Sequence, residues 1–391
     1  MRVVGYAYPW DYEGDPGAAE RSRETGVDAV ALAASYHATR AASPLHPTRR
    51  LLDVAESACY VPVRDGAWRG HRLAPRRPSW TNDGDLFATA ARQLVDVGLE
   101  VEAWIVLTHH DQFGQRHPDL VVRNAFGDRY DYALCPSADD VREYCVTLVR
   151  EIARDPSIGG VVLEACGPMG LEHATLHDKS EFACWSPTAQ RLLAICFCAR
   201  CCRALADLGI DVDRLRHLVR EGVDGTFESV EEALGEELAE PVATYRGDLA
   251  ASLRREIAQG LRATPRDLAV TVHASGDRWA TGAFSAPGES STLADVDTVV
   301  ANCWDGDRAR HELGSLSQLL RGRCALGAYL RLDRGWQDGT IDATLARYAR
   351  SGMTELHLYH LGLVSQPGLD LARRLARAGR SLAAPDGRGP R

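Results

Sequence analysis

Lysine is almost missing from this chain: of 45 basic residues, one is lysine (Lys179) and 44 are arginine. The bias matches GC-rich coding and carries no message about stability. It leaves Lys179 as the single side-chain amine, able to lose a proton or attack a carbonyl where a guanidinium does neither at neutral pH. Positive charge is not in excess either. A net charge of −9 excludes a general binder of nucleic acid or of anionic membranes. No apolar run approaches the roughly 18–20 residues of a membrane span. The opening stretch MRVVGYAYPW has no signal-peptide pattern and reads directly into a strand, so a soluble, cytoplasmic chain is expected. Internal repeats and low-complexity segments are absent, and 45% hydrophobic against 25% charged residues excludes a disordered or fibrous chain. No glycine-rich phosphate fingerprint follows any strand candidate, which argues against an open, doubly wound nucleotide-binding sheet.

What is present is an alternation. Eight short apolar runs recur: Val3–Tyr8, Ala29–Ala34, Val101–Leu107, Gly160–Glu164, Leu268–His273, Val296–Cys303, Ala325–Leu330 and Glu355–Tyr359. They are nearly continuous in Val, Ile, Leu and Ala, as strands buried on both faces are. Helix signals lie between them. Ser137-Ala-Asp-Asp140 reads as a capping box, Asn82-Asp-Gly-Asp85 precedes a second helix, and Ala243–Ala263 has apolar spacings of three and four. Eight such units predict an α/β fold, a (β/α)8 TIM barrel over residues 1–380. Residues 211–239 read as a helical insertion and 381–391 as a disordered tail. Three connections, about 38–82, 108–136 and 166–186, are too long for simple loops and follow strands, which places them on the C-terminal face where barrel active sites lie.

The strand ends therefore carry the candidate chemistry. Tyr8 and Trp10 follow the first strand, Tyr36 and His37 the second, Trp104, His109 and His110 the third. His273 ends the fifth, Trp304 and Asp305 follow the sixth, Asp333 the seventh, and Tyr359 and His360 the eighth. Aromatics mixed with imidazoles and carboxylates suit a polyhydroxylated ligand, rings stacking on C–H faces while polar tips fix hydroxyls. Glu164 closes the apolar run Ile-Gly-Gly-Val-Val-Leu-Glu, and a carboxylate there must be satisfied or used; a general acid/base role is expected. Beyond it, His173, His177 and Lys179 gather over the same end.

Eleven cysteines, an odd number without a secretory signal, argue against a disulfide framework. Cys196-Phe-Cys198-Ala-Arg-Cys201 has the spacing that lets thiolates converge on one tetrahedral Zn²⁺, with Cys135 as the best fourth ligand. An all-cysteine site would be closed and structural. The alternative is a cysteine-rich helix packed in the core.

The succession Leu134-Cys135-Pro-Ser, Val161-Val-Leu-Glu164 and Cys196-Phe-Cys-Ala-Arg-Cys201 resembles the family-42 β-galactosidases and their glycosidase-like barrel relatives. The resemblance is close over residues 133–205 and loose over the barrel. It implies Glu164 as acid/base and Cys135, Cys196, Cys198 and Cys201 as ligands of a structural zinc. Two departures stand out: Leu163 replaces the asparagine that precedes that family's acid/base, and the seventh strand, Ala325–Asp333, offers no glutamate nucleophile. Asp333 and Asp305 are the nearest carboxylates. The leading expectation is a glycosidase-like enzyme acting on a glycoside or glycosylamine. A non-hydrolytic sugar isomerase working on an aminosugar conjugate is the alternative, and a sugar-binding pseudoenzyme a third. The expected partner is a small-molecule sugar or conjugate, with self-association into a homo-oligomer left open.

Overall fold

The computed structural model describes residues 1–171, 179–289, 293–333, 335–336 and 339–383. Eight strands form the barrel: β1 (Arg2–Ala7), β2 (Ala29–Tyr36), β3 (Glu100–Val106), β4 (Ile158–Glu164), β5 (Ala269–His273), β6 (Thr298–Asn302), β7 (Ala325–Arg331) and β8 (Glu355–Tyr359). Each pairs in parallel with the next, and β8 returns to β1 with Val4 opposite His357, so the sheet has no free edge. All eight expected runs are these strands. Their near-continuous apolar character reflects burial between a filled interior and an outer ring of helices.

Seven helices follow strands around that ring: α1 (Ala18–Glu24), α2 (Leu86–Asp96), α3 (Asp139–Ile152), α4 (Glu236–Arg262), α5 (Gly306–Leu320), α6 (Ile341–Arg350) and α7 (Gln366–Ala383). The α/β repetition expected from sequence is broken once. Among the described residues, β5 and β6 are joined by a loop with one 3₁₀ turn, Gly282–Phe284, and no α-helix. The 27-residue α4, about 40 Å long at 1.5 Å per residue, lies against this loop. Its buried Arg254 donates to the Pro287 carbonyl at 2.9 Å.

Helix starts are a mixed outcome. Asp85 caps α2, accepting from Ala88 N at 3.1 Å. The capping box expected at Ser137 does not form. Ala138 occupies the N-cap of α3 without a side-chain bond, while the Ser137 hydroxyl sits 3.0 Å from Cys135 Sγ. Between β4 and α4, the helices Pro187–Leu193, Ala199–Asp207, Val212–Asp224 and Val230–Leu234 enclose a second apolar cluster that includes Leu192, Phe197, Leu215, Val219 and Trp279. α7 continues through Ala383, into the stretch expected from 381 to be a tail; residues 384–391 lie outside the described residues. No helix among the described residues is long and apolar enough to cross a membrane.

Just above the barrel, Asp11 is buried beside His360. Its carboxylate accepts from Tyr8 N at 2.9 Å and from the Ser43 hydroxyl at 3.1 Å. A Cβ on Gly362 would fall 1.9 Å from Asp11 Oδ2, so only glycine lets the turn after β8 close over it. Burial raises the Asp11 carboxyl from 3.8 to about 7. Burial likewise lowers the His360 imidazole to about 3, so although Nδ1 lies 4.0 Å from Asp11 Oδ2, it supplies no cation at neutral pH. An aspartic acid that keeps its proton in the native state, while the unfolded chain releases it near pH 4, favours folding less as pH rises from about 4 to about 7. Asp11→Asn is therefore expected to fold and to lose less stability than wild type over that interval, by up to a few kcal/mol. Denaturant unfolding of both proteins at pH 5 and pH 8 checks this; equal losses would show Asp11 to be ionised in the native state.

Candidate active site

β4 delivers Glu164 to the C-terminal end of the barrel, and the chain around it is pinned. Ala165 has φ +53, a left-handed conformation that costs a non-glycine residue roughly 1–2 kcal/mol. Hydrogen bonds hold it there: Ala165 N donates to Ala283 O at 3.2 Å, and the Thr108 hydroxyl donates to Ala165 O at 2.7 Å. The turn sends the chain sideways immediately after Glu164, which leaves its side chain facing the barrel mouth. There it is buried, accepts from Trp104 Nε1 at 2.8 Å, and has His273 Nδ1 3.4 Å away.

Glu164 lines a cavity of about 320 Å³ with Tyr36, His37, Trp104, His109, Trp304 and Tyr359, all of them expected from sequence. The volume lies at the lower end of the roughly 300–1,000 Å³ typical of small-ligand sites. One side is a stack of Tyr36, His37 and His109, with successive ring centroids 4.2 and 4.3 Å apart. Trp304, Tyr329 and Tyr359 also line the cavity, with Trp304 nearly parallel to Tyr329 at 5.8 Å. Thr39 and Arg40, from the hairpin Thr39–Ala42/Leu51–Val54 that the long β2 connection builds, also border the cavity.

The other expected site residues fall elsewhere. Tyr8 and Trp10 stack on each other at 4.2 Å beneath the rim, and Tyr8 also meets the ring of the buried His360. His110 stacks on Phe113 at 3.6 Å and caps the helix Asp111–Arg116; burial lowers its imidazole to about 3. His273 lies under the cavity floor, bonded to Tyr6 at 2.8 Å. Asp305 is the N-cap of α5, accepting from Asp307 N, and is exposed. Asp333 pairs with Arg331 and borders an adjacent cavity of about 300 Å³ that shares Trp304 with the first. Lys179 is exposed, its Nζ 5.8 Å from the Phe182 ring. His173 and His177 lie outside the described residues. Among the described residues bordering the Glu164 cavity, Glu164 is the one carboxylate.

Sequence reading missed Phe284, Asn302 and Tyr329 in this cavity. Tyr329 had a signal: strand side chains alternate, so Tyr329 shares the face of Gly327, the position that packs against the interior His357. Phe284 had none, because it comes from the loop that replaces a helix.

A second constellation lies behind the site. The Sγ atoms of Cys135, Cys196, Cys198 and Cys201 all lie within 4.8 Å of one another. Three of the separations are 3.5, 3.8 and 3.8 Å. Four thiolates at about 2.3 Å from a tetrahedral ion stand about 3.8 Å apart. This cluster can hold a metal ion. It ties the stretch before α3 to the helix Ala199–Asp207, whose N-cap is Cys198.

A closed parallel eight-stranded barrel with its cavity at the strand C-termini is a TIM barrel. Its solved neighbours include the glycoside hydrolase domain of PgaB (BpsB) from Bordetella bronchiseptica, with TM-score 0.59, 14% identity, and 96% of this chain and 99% of that one covered. The catalytic domain of β-amylase from Paenibacillus polymyxa has TM-score 0.59 at 11% identity over 98% and 99% of the two chains. Gan42B, a GH42 β-galactosidase from G. stearothermophilus, has TM-score 0.55 at 11% identity; 98% of this chain is covered and 57% of that one. The chain also spans 49% of an α-L-fucosidase from Paenibacillus thiaminolyticus, again at TM-score 0.59 and with 11% identity. The likeness to family-42 barrels seen in sequence thus extends to the fold. No protein-family model and no curated protein matches the sequence.

Proposed function

We propose that this chain is a carbohydrate-active, glycosidase-like enzyme in which Glu164 is the general acid/base and no second carboxylate from the described residues serves as nucleophile. The observation that carries this reading is Glu164 as the one carboxylate among the described residues that border an aromatic-walled cavity. Trp304, Tyr329 and Tyr359 offer faces for sugar C–H groups, while His37, His109 and Asn302 offer polar contacts to hydroxyls. The adjoining cavity across Trp304 gives room for the second half of a glycoside or glycosylamine. Glu164 then protonates the leaving oxygen or nitrogen as the C1 bond breaks, and in hydrolysis recovers a proton from the water whose oxygen forms the new bond to C1.

Two-carboxylate glycosidases need their partners about 5–5.5 Å apart for retention or about 6.5–9.5 Å apart for inversion. Asp305 is engaged as a helix cap and Asp333 with Arg331, both outside the Glu164 cavity. Phenols do not replace them. Burial holds Tyr329 and Tyr359 above their ordinary value, so at neutral pH they are hydrogen-bond donors. This favours, as the second reading, a rearrangement of an aminosugar conjugate: ring opening and proton transfer through Glu164, with no water consumed. Product analysis by NMR separates the two, since hydrolysis releases two fragments and rearrangement conserves mass.

Glu164→Gln is expected to fold with an unchanged melting temperature and to lose about 10²–10⁴-fold in turnover on whichever aryl glycoside or glycosylamine the wild type accepts. Near wild-type turnover would reduce Glu164 to a structural cap. A 2-fluoro-sugar inactivator is expected to leave no covalent adduct by mass spectrometry. Labelling of Asp305 or Asp333 would establish a protein nucleophile and a conventional retaining reaction.

For the cysteine cluster we propose zinc with a structural role. Cys135, Cys196, Cys198 and Cys201 would occupy all four positions, leaving none for substrate. Elemental analysis should find about one zinc per chain, and Cys198→Ser should lower the melting temperature, since structural zinc contributes directly to folding free energy. A zinc-free protein with a Cys198→Ser variant of equal stability would reject the assignment.

A further inference from the structure

The interior of a TIM barrel is ordinarily filled by branched aliphatic side chains. Here its axis carries a continuous polar chain. From the cavity inward, Glu164 Oε2 faces His273 Nδ1 at 3.4 Å, and His273 Nε2 meets the Tyr6 hydroxyl at 2.8 Å. That hydroxyl meets His357 Nδ1 at 3.2 Å, and His357 Nε2 meets Glu355 Oε2 at 3.3 Å. Glu355 is the first residue of β8, at the N-terminal mouth, with 16% of its side chain exposed. Tyr6, His273 and His357 are fully enclosed. Space for the chain is built in, because a Cβ on Gly327 would fall 2.5 Å from the His357 ring.

We propose that Glu355, at the far end of the barrel, sets the proton occupancy of Glu164 through His357, Tyr6 and His273. The inference rests on Glu164 being the acid/base, and makes Glu355 a positioning residue for it. Two proton arrangements run along this line, each with one proton on one terminal carboxyl and each closing the 3.4 Å approach of Glu164 to His273, which is not itself a hydrogen bond in the structure, with a hydrogen bond. With Glu355 ionised, it accepts from His357 Nε2–H, His357 Nδ1 accepts from Tyr6 O–H, Tyr6 oxygen accepts from His273 Nε2–H, and His273 Nδ1 accepts from protonated Glu164. With the proton on Glu355, every donor and acceptor is exchanged and Glu164 is ionised.

Passage from the first pattern to the second breaks four bonds to hydrogen and forms four. The Glu164 proton goes to His273 Nδ1, that of His273 Nε2 to Tyr6 oxygen, the phenolic proton to His357 Nδ1, and that of His357 Nε2 to Glu355. One proton is lost at Glu164 and one gained at Glu355, with no net charge created.

The surroundings favour the first pattern. Burial pushes Glu355 up, but the bond from His357, the Arg2 charge and Thr298 outweigh it and hold the carboxyl below its usual range. Arg2 is also committed to Glu102 at 2.6 Å and to Glu100 at 2.9 Å, so the cationic charge stays at this mouth. At the other end Trp104 Nε1 donates to Glu164 Oε2 in either pattern. His273 Nδ1 is buried with no hydrogen bond of good geometry among the described residues, and Glu164 Oε2 stands 3.4 Å from it. Glu164 is thereby kept protonated, as a general acid requires before bond breaking.

The test is the tautomer of His273, read from its ring nitrogens in the full-length protein labelled with ¹⁵N-histidine and assigned with His273→Asn. At neutral pH the wild type is expected to carry the proton on Nε2. Glu355→Met removes the distant acceptor without touching the cavity, and Tyr6→Phe cuts the chain at its middle. Either is expected to shift His273 towards the Nδ1–H form. An Nδ1–H tautomer in the wild type, or identical nitrogen shifts in wild type and whichever of the two variants folds, would overturn the proposal. The readout needs no substrate, so it stands or falls separately from the loss of turnover in Glu164→Gln.

Discussion

The pairing of β1 with β8 is the contact on which the rest depends. It closes the sheet, removes its edges, and brings Val4 opposite His357, so that Tyr6 and His357 project into one enclosed space. Closure also imposes a packing problem: an eight-stranded barrel leaves an interior just wide enough for side chains, and these must fill it. This chain fills it with rings. Tyr6 packs edge-on against Trp104 at 5.1 Å and against Tyr329 at 4.8 Å. Rings that carry donors and acceptors cannot be buried without partners. The aromatic filling and the polar axis are therefore one solution, and Glu164 sits at its open end.

The order of strands was legible because a buried parallel strand writes a nearly continuous apolar run, and each of the eight does so. Glu164 was legible for the same reason, since a carboxylate at the end of such a run is conspicuous. The cysteine cluster was readable from Cys196-Phe-Cys198-Ala-Arg-Cys201 with Cys135, whose sulfurs the fold gathers. What could not be read was which rim residues face the cavity. His109 and His110 are neighbours in sequence, yet the first borders the cavity and the second turns away to stack on Phe113. Hydrogen bonds of loop backbone decide that, and no periodicity records them. The β5–β6 connection has no α-helix among its described residues, and α4, the helix just before β5, lies against it instead.

Placement of Ser137 shows how local and long-range demands compete. A serine two residues before a helix that opens with Asp139-Asp140 has strong local reason to cap it. Its hydroxyl instead touches the sulfurs of Cys135 and Cys201, at 3.0 and 3.4 Å. The helix start gives up a cap, worth about 1 kcal/mol, and α3 retains Asp139 and Asp140 in its first turn, where their charges favour the helix dipole. The stretch Cys135–Ser137 is thus spent on joining the insertion to the barrel. That joint matters to the site, because the β3 connection ending at Cys135 also carries His109, while the chain leaving Glu164 runs into the segment that carries Cys196, Cys198 and Cys201.

The division of labour that results is asymmetric. Strands fix what must not move: Glu164, Trp104 and the rings beneath them. Loops add to the walls, with His37 after β2, Phe284 after β5 and Trp304 after β6, beside Tyr36, Asn302, Tyr329 and Tyr359 from the strands. A barrel that places one carboxylate on a rigid strand end and takes part of its cavity wall from loops can change that wall without moving the carboxylate. The surroundings of Glu164 belong to the core, and the core is constrained by every one of the eight strands. That is why the place of the carboxylate is inscribed more firmly in this chain than the shape of the cavity it faces.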